Sequence, residues 1–435
     1  MDELARILAR LTSSHFVRNV AVVGGGIAAA QAITLAFTPF ITRLYGPEAF
    51  GISAAFAATV SIITPMATLG YANAIVMPKS DTDALAVARL SILLGLTLAP
   101  LSLLLVHFGR PWLAVWTGLE QSPQMLYLIP LALLISAFLS VANQAAIREG
   151  RFKVKARAYV ESTLGANLCK LAGGLIAPSG LLLIVLTMAG QVLNFLMQLF
   201  RVPRSDVLKP SNWFGQGGIR EAANIHKDFA FYRMPQSVIR SLSMGLPVFI
   251  LTGLFGAVSA GQYSLAILLL GAPAMLIGDS LGEVFYPKIT RAINSQCGNP
   301  TALIGKATAV LVLLGSVPFG AIALFGDVLI PWFSGSEWMR AGEYSQWVAL
   351  WMIAMLASRP AVAAMPALMM QPTLLGYEVT ITGSRIVALY AGFQIGDDLT
   401  SIAFFSLANV VGYTALLVLV LFKTTQSKSA SCKNR

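Results

Sequence analysis

Long apolar runs alternate with short polar segments along almost the whole chain. The runs fall at 18–41, 52–74, 85–107, 125–146, 158–177, 180–200, 234–256, 261–280, 303–325, 343–365, 373–394 and 400–422. Each is close to the ~20 apolar residues that a helix needs to cross the hydrocarbon core of a bilayer. In lipid a spanning segment must satisfy its own backbone polar groups, so runs of this length predict helices. The pattern therefore predicts an all-α integral membrane protein of about twelve transmembrane helices.

Residues 201–233 form the one long polar stretch and divide the runs into two sets of six. The domain organisation expected is an N-terminal six-helix bundle over 1–200, a cytoplasmic linker over 201–233, a C-terminal six-helix bundle over 234–422 and a polar tail over 423–435. Within the linker, Arg220–Tyr232 predicts a short amphipathic helix on the membrane, with Trp213 and Phe214 at the interface. The halves carry a faint repeat. Pro39 and the stretch Ala49-Phe50-Gly51-Ile52-Ser53 are echoed by Pro247 and Ala260-Gly261-Gln262-Tyr263-Ser264, at an offset of 208 to 210. The first and seventh spans run in the same direction, so the bundles are expected to be related by a parallel repeat of the kind some transporters show.

Composition agrees with a lipid environment. The chain is 56% hydrophobic and 11% charged, with a mean hydropathy of +0.73, whereas soluble domains carry about 25% charged residues. A net charge of +11 would suggest nucleic acid in a soluble protein, but here the placement of the charge decides. With the N-terminus inside, only Arg43, Arg110 and Arg340 of the 30 Lys and Arg residues fall in outer segments. Four fall within spans and the rest lie in inner segments, the asymmetry of a membrane protein with both termini cytoplasmic. The opening MDELARILARLTSSHFVRNV has acids near its start and no short apolar core before a small-residue site, so no cleaved signal peptide is expected. The basic inner loop Ile147–Tyr159 reads as a topology determinant or as a site for anionic head groups.

Chemistry of the catalytic kind is absent. The three cysteines and three histidines are scattered and make neither a disulfide framework nor a metal site. Val20–Ala29 matches the G-x-G-x-x-A fingerprint of dinucleotide folds, but no soluble strand–helix context surrounds it. Its small residues read instead as a close helix crossing. No phosphate-binding loop or nucleophile–base arrangement occurs, so neither an enzyme nor a nucleotide hydrolase is expected. What remains are polar groups inside spans, which are costly and tend to face a cavity or a partner. Lys170 and Arg385 lie near the middle of the fifth and eleventh spans. Arg89 and Arg240 lie nearer the cytoplasmic ends, where long side chains can reach water. Glu161 and Glu378 share the spans of Lys170 and Arg385, and Glu378 sits two turns from Arg385 on one face. Gln191, Asn194 and Gln198 share a face of the sixth span, as helix–helix glue or as the lining of a hydrated cavity. Lys170, Arg240, Arg385, Glu378, Gln191, Asn194 and Gln198, with Arg43 at the outer end of the first span, form the candidate cavity set.

The stretch Thr38–Gly51, TPFITRLYGPEAFG, joins the first two spans, with Gly46-Pro47 as its turn. Together with Ala74-Ile75-Val76-Met77-Pro78 and Asp83-Ala84 it resembles the opening of the bacterial polysaccharide and O-antigen flippases, members of the multidrug/oligosaccharidyl-lipid/polysaccharide exporter superfamily. The close likeness covers about the first 90 residues. The resemblance implies a flippase that moves undecaprenyl-diphosphate-linked oligosaccharides from the inner to the outer leaflet of the bacterial inner membrane, for O-antigen, capsule or exopolysaccharide assembly. It implies membrane lipids as surroundings, polysaccharide polymerase and chain-length proteins as partners, no nucleic acid, and no cofactor beyond an ion or the membrane potential. In that setting Lys170, Arg240 and Arg385 would meet the diphosphate, with Glu378 holding Arg385 when cargo is absent. A multidrug exporter of the same superfamily would favour acidic cavity residues. A peptidoglycan-precursor flippase usually has two further helices. A membrane glycosyltransferase or polymerase of the same pathway tends to carry a large catalytic loop, and none is present here.

Overall fold

The computed structural model describes residues 15–120, 122–201, 207, 209–213, 218–294, 299–365, 368 and 370–433, with the side chains of 15–21, 210, 279–294, 371, 372, 375 and 426–433 left aside. The α-helices are α1 (His15–Ile63), α2 (Asp81–Thr117), α3 (Ile129–Arg148), α4 (Phe152–Gly174), α5 (Gly180–Arg201), α6 (Ile219–Ile225), α7 (Met234–Phe255), α8 (Ala257–Asn294), α9 (Pro300–Ser334), α10 (Met339–Ala364), α11 (Gln371–Ile395) and α12 (Asp398–Lys433). No strand occurs among the described residues. Nine helical segments among them are long and apolar enough to cross a membrane. The helix α1 counts once among the nine although it holds two of the expected spans. The polar helices α4 and α11 are the two that fall short. Each expected span thus coincides with helix for most of its length, and the all-α membrane fold holds.

The first two spans merge into α1 because a single residue separates them. Gly46, at φ 68° and ψ 171°, is not helical. Before it, Gly26 lies against Ala156 near the start of α4, and Tyr45 against Gly174 at its end. After it, Ile52 lies against Gly180 at the start of α5, and Thr64 shares a cavity wall with Gln191 further along. The helices α4 and α5 are antiparallel, since Gly173 meets Leu182 and Gly190 meets Ala166. The chain therefore reverses at Gly46. The contact of Gly26 with Ala156 accounts for the last glycine of the run: an added Cβ would stand 2.7 Å from the Ala156 Cβ, whereas Gly24 and Gly25 face open space, so the close crossing of small residues is at Gly26.

Gly256, at the end of α7, adopts nearly the same backbone, φ 88° and ψ 174°. Superposing the two glycines by sequence sets Thr42-Arg43-Leu44-Tyr45-Gly46 over Thr252-Gly253-Leu254-Phe255-Gly256, an offset of 210. This pairing is tighter than the echo read from the sequence, and the shared backbone supports the parallel repeat.

Two further differences concern the first half. The second span is helical only to Ile63 and continues as two 3-10 segments, Thr64–Thr68 and Tyr71–Val76. Pro65 opens the first, and Gly70, at φ 79°, precedes the second. Arg148 fixes this irregular stretch by donating to the carbonyls of Ile75, Pro78 and Ser80 and to the Asp81 carboxylate. The Arg148 side chain is thereby committed to the fold rather than left for head groups. The second difference concerns the linker. Trp213 packs, tilted, against Phe138 and Phe195, and its indole N–H donates to the Val207 carbonyl at 2.9 Å. Phe214 lies outside the described residues.

The chain forms two compact units, residues 1–257 and 258–435. The seventh span, placed with the second bundle on sequence, packs in the first unit. There α7 lies along α1, with Gly245 close to Ala58, and Thr252 fills the space above Gly118, whose φ is 69°. In the first unit the core gathers Phe56, Leu119, Leu126, Ile129 and Ile184. In the second, α10 packs against α9 and α12, with the backbones of Gly326 and Gly342 in direct contact. Large apolar side chains such as Leu105, Phe108, Leu313 and Val317 are 63 to 80% exposed, a surface suited to lipid and not to water.

Candidate functional site

The candidate residues divide by what surrounds them. Lys170 is half-buried on α4, whose backbone is tied to α1 by the Tyr45 hydroxyl donating to the Lys170 carbonyl at 2.8 Å. Among the described residues no ion pair engages the Lys170 ammonium group. Glu161, the acid on the same helix, is taken by Arg157 at 2.7 Å and by Arg201 at the end of α5 at 2.6 Å.

Arg385 is 7% exposed. Its Nε and Nη2 donate to the Asn409 Oδ1 at 2.9 and 2.8 Å, and Nη2 also donates to the Tyr413 hydroxyl at 3.3 Å. Asn409 is itself held by donating to the Phe405 carbonyl at 2.8 Å, and the Tyr413 ring stacks on Trp351. The guanidinium is thus seated between α11 and α12 by an amide and a phenol. Glu378, two turns away on the same helix, is exposed, and the partners described for Arg385 come instead from α12. Asn409 and Tyr413 escaped the sequence reading. Their signal was an amide and a phenol one turn apart within the apolar run of α12.

Arg240 is exposed on α7, and Arg43 is exposed one turn before Gly46. Neither is brought beside Lys170 within the first unit by any described contact. Arg89 is spent on the fold, its Nε donating to the Asn212 carbonyl at 2.6 Å.

The amide row on α5 separates into two parts. Gln198 is fully buried, and its Nε2 donates to Asn194 Oδ1 at 2.9 Å and to Asn143 Oδ1 on α3 at 3.3 Å. Those amides hold helix to helix. Gln191, two turns away on the same face, instead lines a cavity of about 430 Å³ in the first unit. Second-span residues of α1, together with α3, α5 and α7, form its walls. Its polar lining is Ser53, Ser61, Thr64, Thr187, Gln191 and Ser241, and among the described residues no charged side chain lines it.

One charged cluster was not foreseen. Arg340, at the start of α10, donates to Glu343 at 2.6 Å, to Asp398 through Nε at 2.9 Å, and to Asp397. Ser259 donates to the other oxygen of Asp398 at 2.7 Å. Gln262 on α8 bridges the Glu337 carbonyl and the Ala341 N–H. The starts of α8, α10 and α12 are thereby joined. The Thr400 backbone N–H, with the Thr400 hydroxyl and Arg340, outweighs desolvation and holds Asp397 down at about 2. Asp397 is therefore an ionised N-cap of α12.

A family model described as "Polysaccharide biosynthesis protein" matches residues 40–343. No curated protein matches the sequence. Solved structures do match the fold. The chain is similar to the structure titled "Lipid II flippase MurJ, inward closed conformation", with a TM-score of 0.72 and 13% identity, over 94% of this chain and 90% of that one. It is also similar to an inward-facing multidrug resistance MATE family transporter of the MOP superfamily, with a TM-score of 0.68 and 14% identity, over 93% and 96%. A MOP superfamily transporter from Pyrococcus furiosus gives 0.63 and 13%, over 97% of both chains.

Proposed function

We propose that this chain, which belongs to the polysaccharide biosynthesis protein family, is a flippase for oligosaccharides carried on undecaprenyl diphosphate. It moves them from the inner to the outer leaflet of the bacterial inner membrane, with both of its termini in the cytoplasm, and performs no covalent chemistry. The family match over residues 40–343 carries the reading. The MOP-type fold, shared by a lipid II flippase and by transporters, is consistent with it.

The polar side chains fit such a cargo. A diphosphate needs cationic partners, and Lys170 supplies an ammonium group on a spanning helix where a cation is costly to keep without a purpose. A multidrug cargo of cationic drugs would be repelled there. Moving two negative charges outward, in the direction an inside-negative potential drives them, is favoured by roughly 4–5 kcal/mol per 100 mV. The potential thus contributes to export without a coupling ion. The polymerase and chain-length proteins of the same pathway are the natural recipients of the product.

Deletion followed by lipid analysis tests the assignment. Loss of the protein should abolish surface polysaccharide while undecaprenyl-linked repeat units accumulate on the inner leaflet. Absence of the lipid-linked unit itself would make the protein an enzyme of assembly and end the flippase reading.

A further inference from the structure

We infer that the cavity in the first unit is a binding site for the uncharged part of a sugar chain, and that it selects neutral over acidic oligosaccharides. The inference rests on the flippase reading only for the lipid to which the sugar is attached. The cavity itself is described by its own chemistry.

Its volume of about 430 Å³ lies in the roughly 300–1,000 Å³ range of small-molecule sites. That is room for part of an oligosaccharide and not for a lipid-linked unit whole. None of its lining residues among those described is ionisable. An acidic sugar would therefore lose hydration on entry and gain no counter-charge, a large penalty in a partly desolvated site. A neutral sugar meets what it needs, because each of its hydroxyls both donates and accepts.

The lining supplies both roles. Ser61, Thr64 and Thr187 donate back to the carbonyls of Ala58, Val60 and Leu183 at 2.7 to 2.8 Å. Their donors are thus spent on their own helices, and their lone pairs remain as acceptors. Gln191 supplies an amide with two donors and an acceptor. The neighbouring amides fix where it points. Asn194 and Gln198 are locked to each other and to Asn143, which sets the rotation of α5 and turns the face of Gln191 toward the cavity.

The test uses the purified full-length chain in a cysteine-free background with one reporter, Ala57→Cys, on the cavity wall. Labelling by a water-soluble maleimide is timed with a panel of neutral trisaccharides of glucose, galactose and mannose, and with trigalacturonate as an acidic trimer. At least one neutral trisaccharide should slow labelling several-fold, and trigalacturonate should not. Gln191→Leu should abolish the protection without changing the unprotected rate. Should that variant fail to fold, Ser241→Ala should weaken the protection in its place. Thr187→Lys should reverse the preference in favour of trigalacturonate. Equal protection by neutral and acidic trimers, or none by any, would overturn the inference. Export lost on deletion with no protection by sugar leaves the flippase reading standing and removes this site. Protection by sugar with export intact on deletion does the reverse.

Discussion

At the scale of single residues the structure distinguishes polar groups that hold helices together from groups that face open space. The sequence places Gln191, Asn194 and Gln198 on one stripe and gives no means of telling them apart. Three-dimensional neighbours do, since Asn143 comes from a different helix. Arg385 shows the same thing in sharper form. Its depth in the eleventh span was legible, because a charge amid apolar residues is conspicuous. Its partners were not, because Asn409 and Tyr413 lie on α12 and belong to no charge pattern. Replacing Asn409 with Leu removes the amide that accepts from both Nε and Nη2, and leaving buried charge under-satisfied costs several kcal/mol. Folded protein in the membrane should fall markedly. The double replacement Arg385→Met with Asn409→Leu should restore much of it, as measured by detergent-resistant fluorescence of a fused reporter. Restored abundance without restored export would assign Arg385 to cargo as well as to packing.

At the scale of elements, two glycines explain what hydropathy alone blurred. Gly46 and Gly256 both adopt positive φ with ψ near 170°, a region that is essentially closed to residues with a Cβ and costs of order 1–3 kcal/mol for them. Gly46→Ala and Gly256→Ala should each destabilise the purified protein by about that free energy, read as a lowered thermal midpoint, whereas Gly24→Ala, in a helix with open space around it, should be near neutral. Equal behaviour of all three would mean that the reversals tolerate a side chain. The spans themselves were legible because about twenty apolar residues have only one stable answer in lipid. The stretch from Thr64 to Val76 was misread as the tail of a helix because its composition, TPMATLGYANAIV, stays apolar while its geometry does not. Pro65 and Gly70 marked it, and the Arg148 clamp that stabilises it comes from seventy residues away in sequence. The Arg340 cluster escaped for a similar reason. It joins the starts of three helices, and outer-loop charges read one at a time give no hint of meeting.

For the whole molecule the informative quantity is where charge lies relative to the bilayer. The reversal at Gly46 makes α1 two spans, which raises the nine apolar segments among the described residues to ten, and the polar helices α4 and α11 would complete the twelve read from the sequence. With twelve spans, the proposed topology would put Arg43, Arg110 and Arg340 on one side and the bulk of Lys and Arg on the other, and the preference for cytoplasmic Lys and Arg would orient it. Had α1 been a single long helix, every later loop would change side, and the basic segment Ile147–Tyr159 would face outward against that preference. Topology therefore tests the hairpin and the charge rule together. Alkaline phosphatase and fluorescent-protein fusions at positions 46, 115, 152, 215 and 335 should report outside, outside, inside, inside and outside. A fusion at 152 or 215 that reports outside would overturn the orientation and the direction of transport proposed from it. Agreement at 46 with disagreement at 115 would instead locate the error in the irregular segment between Ile63 and Asp81.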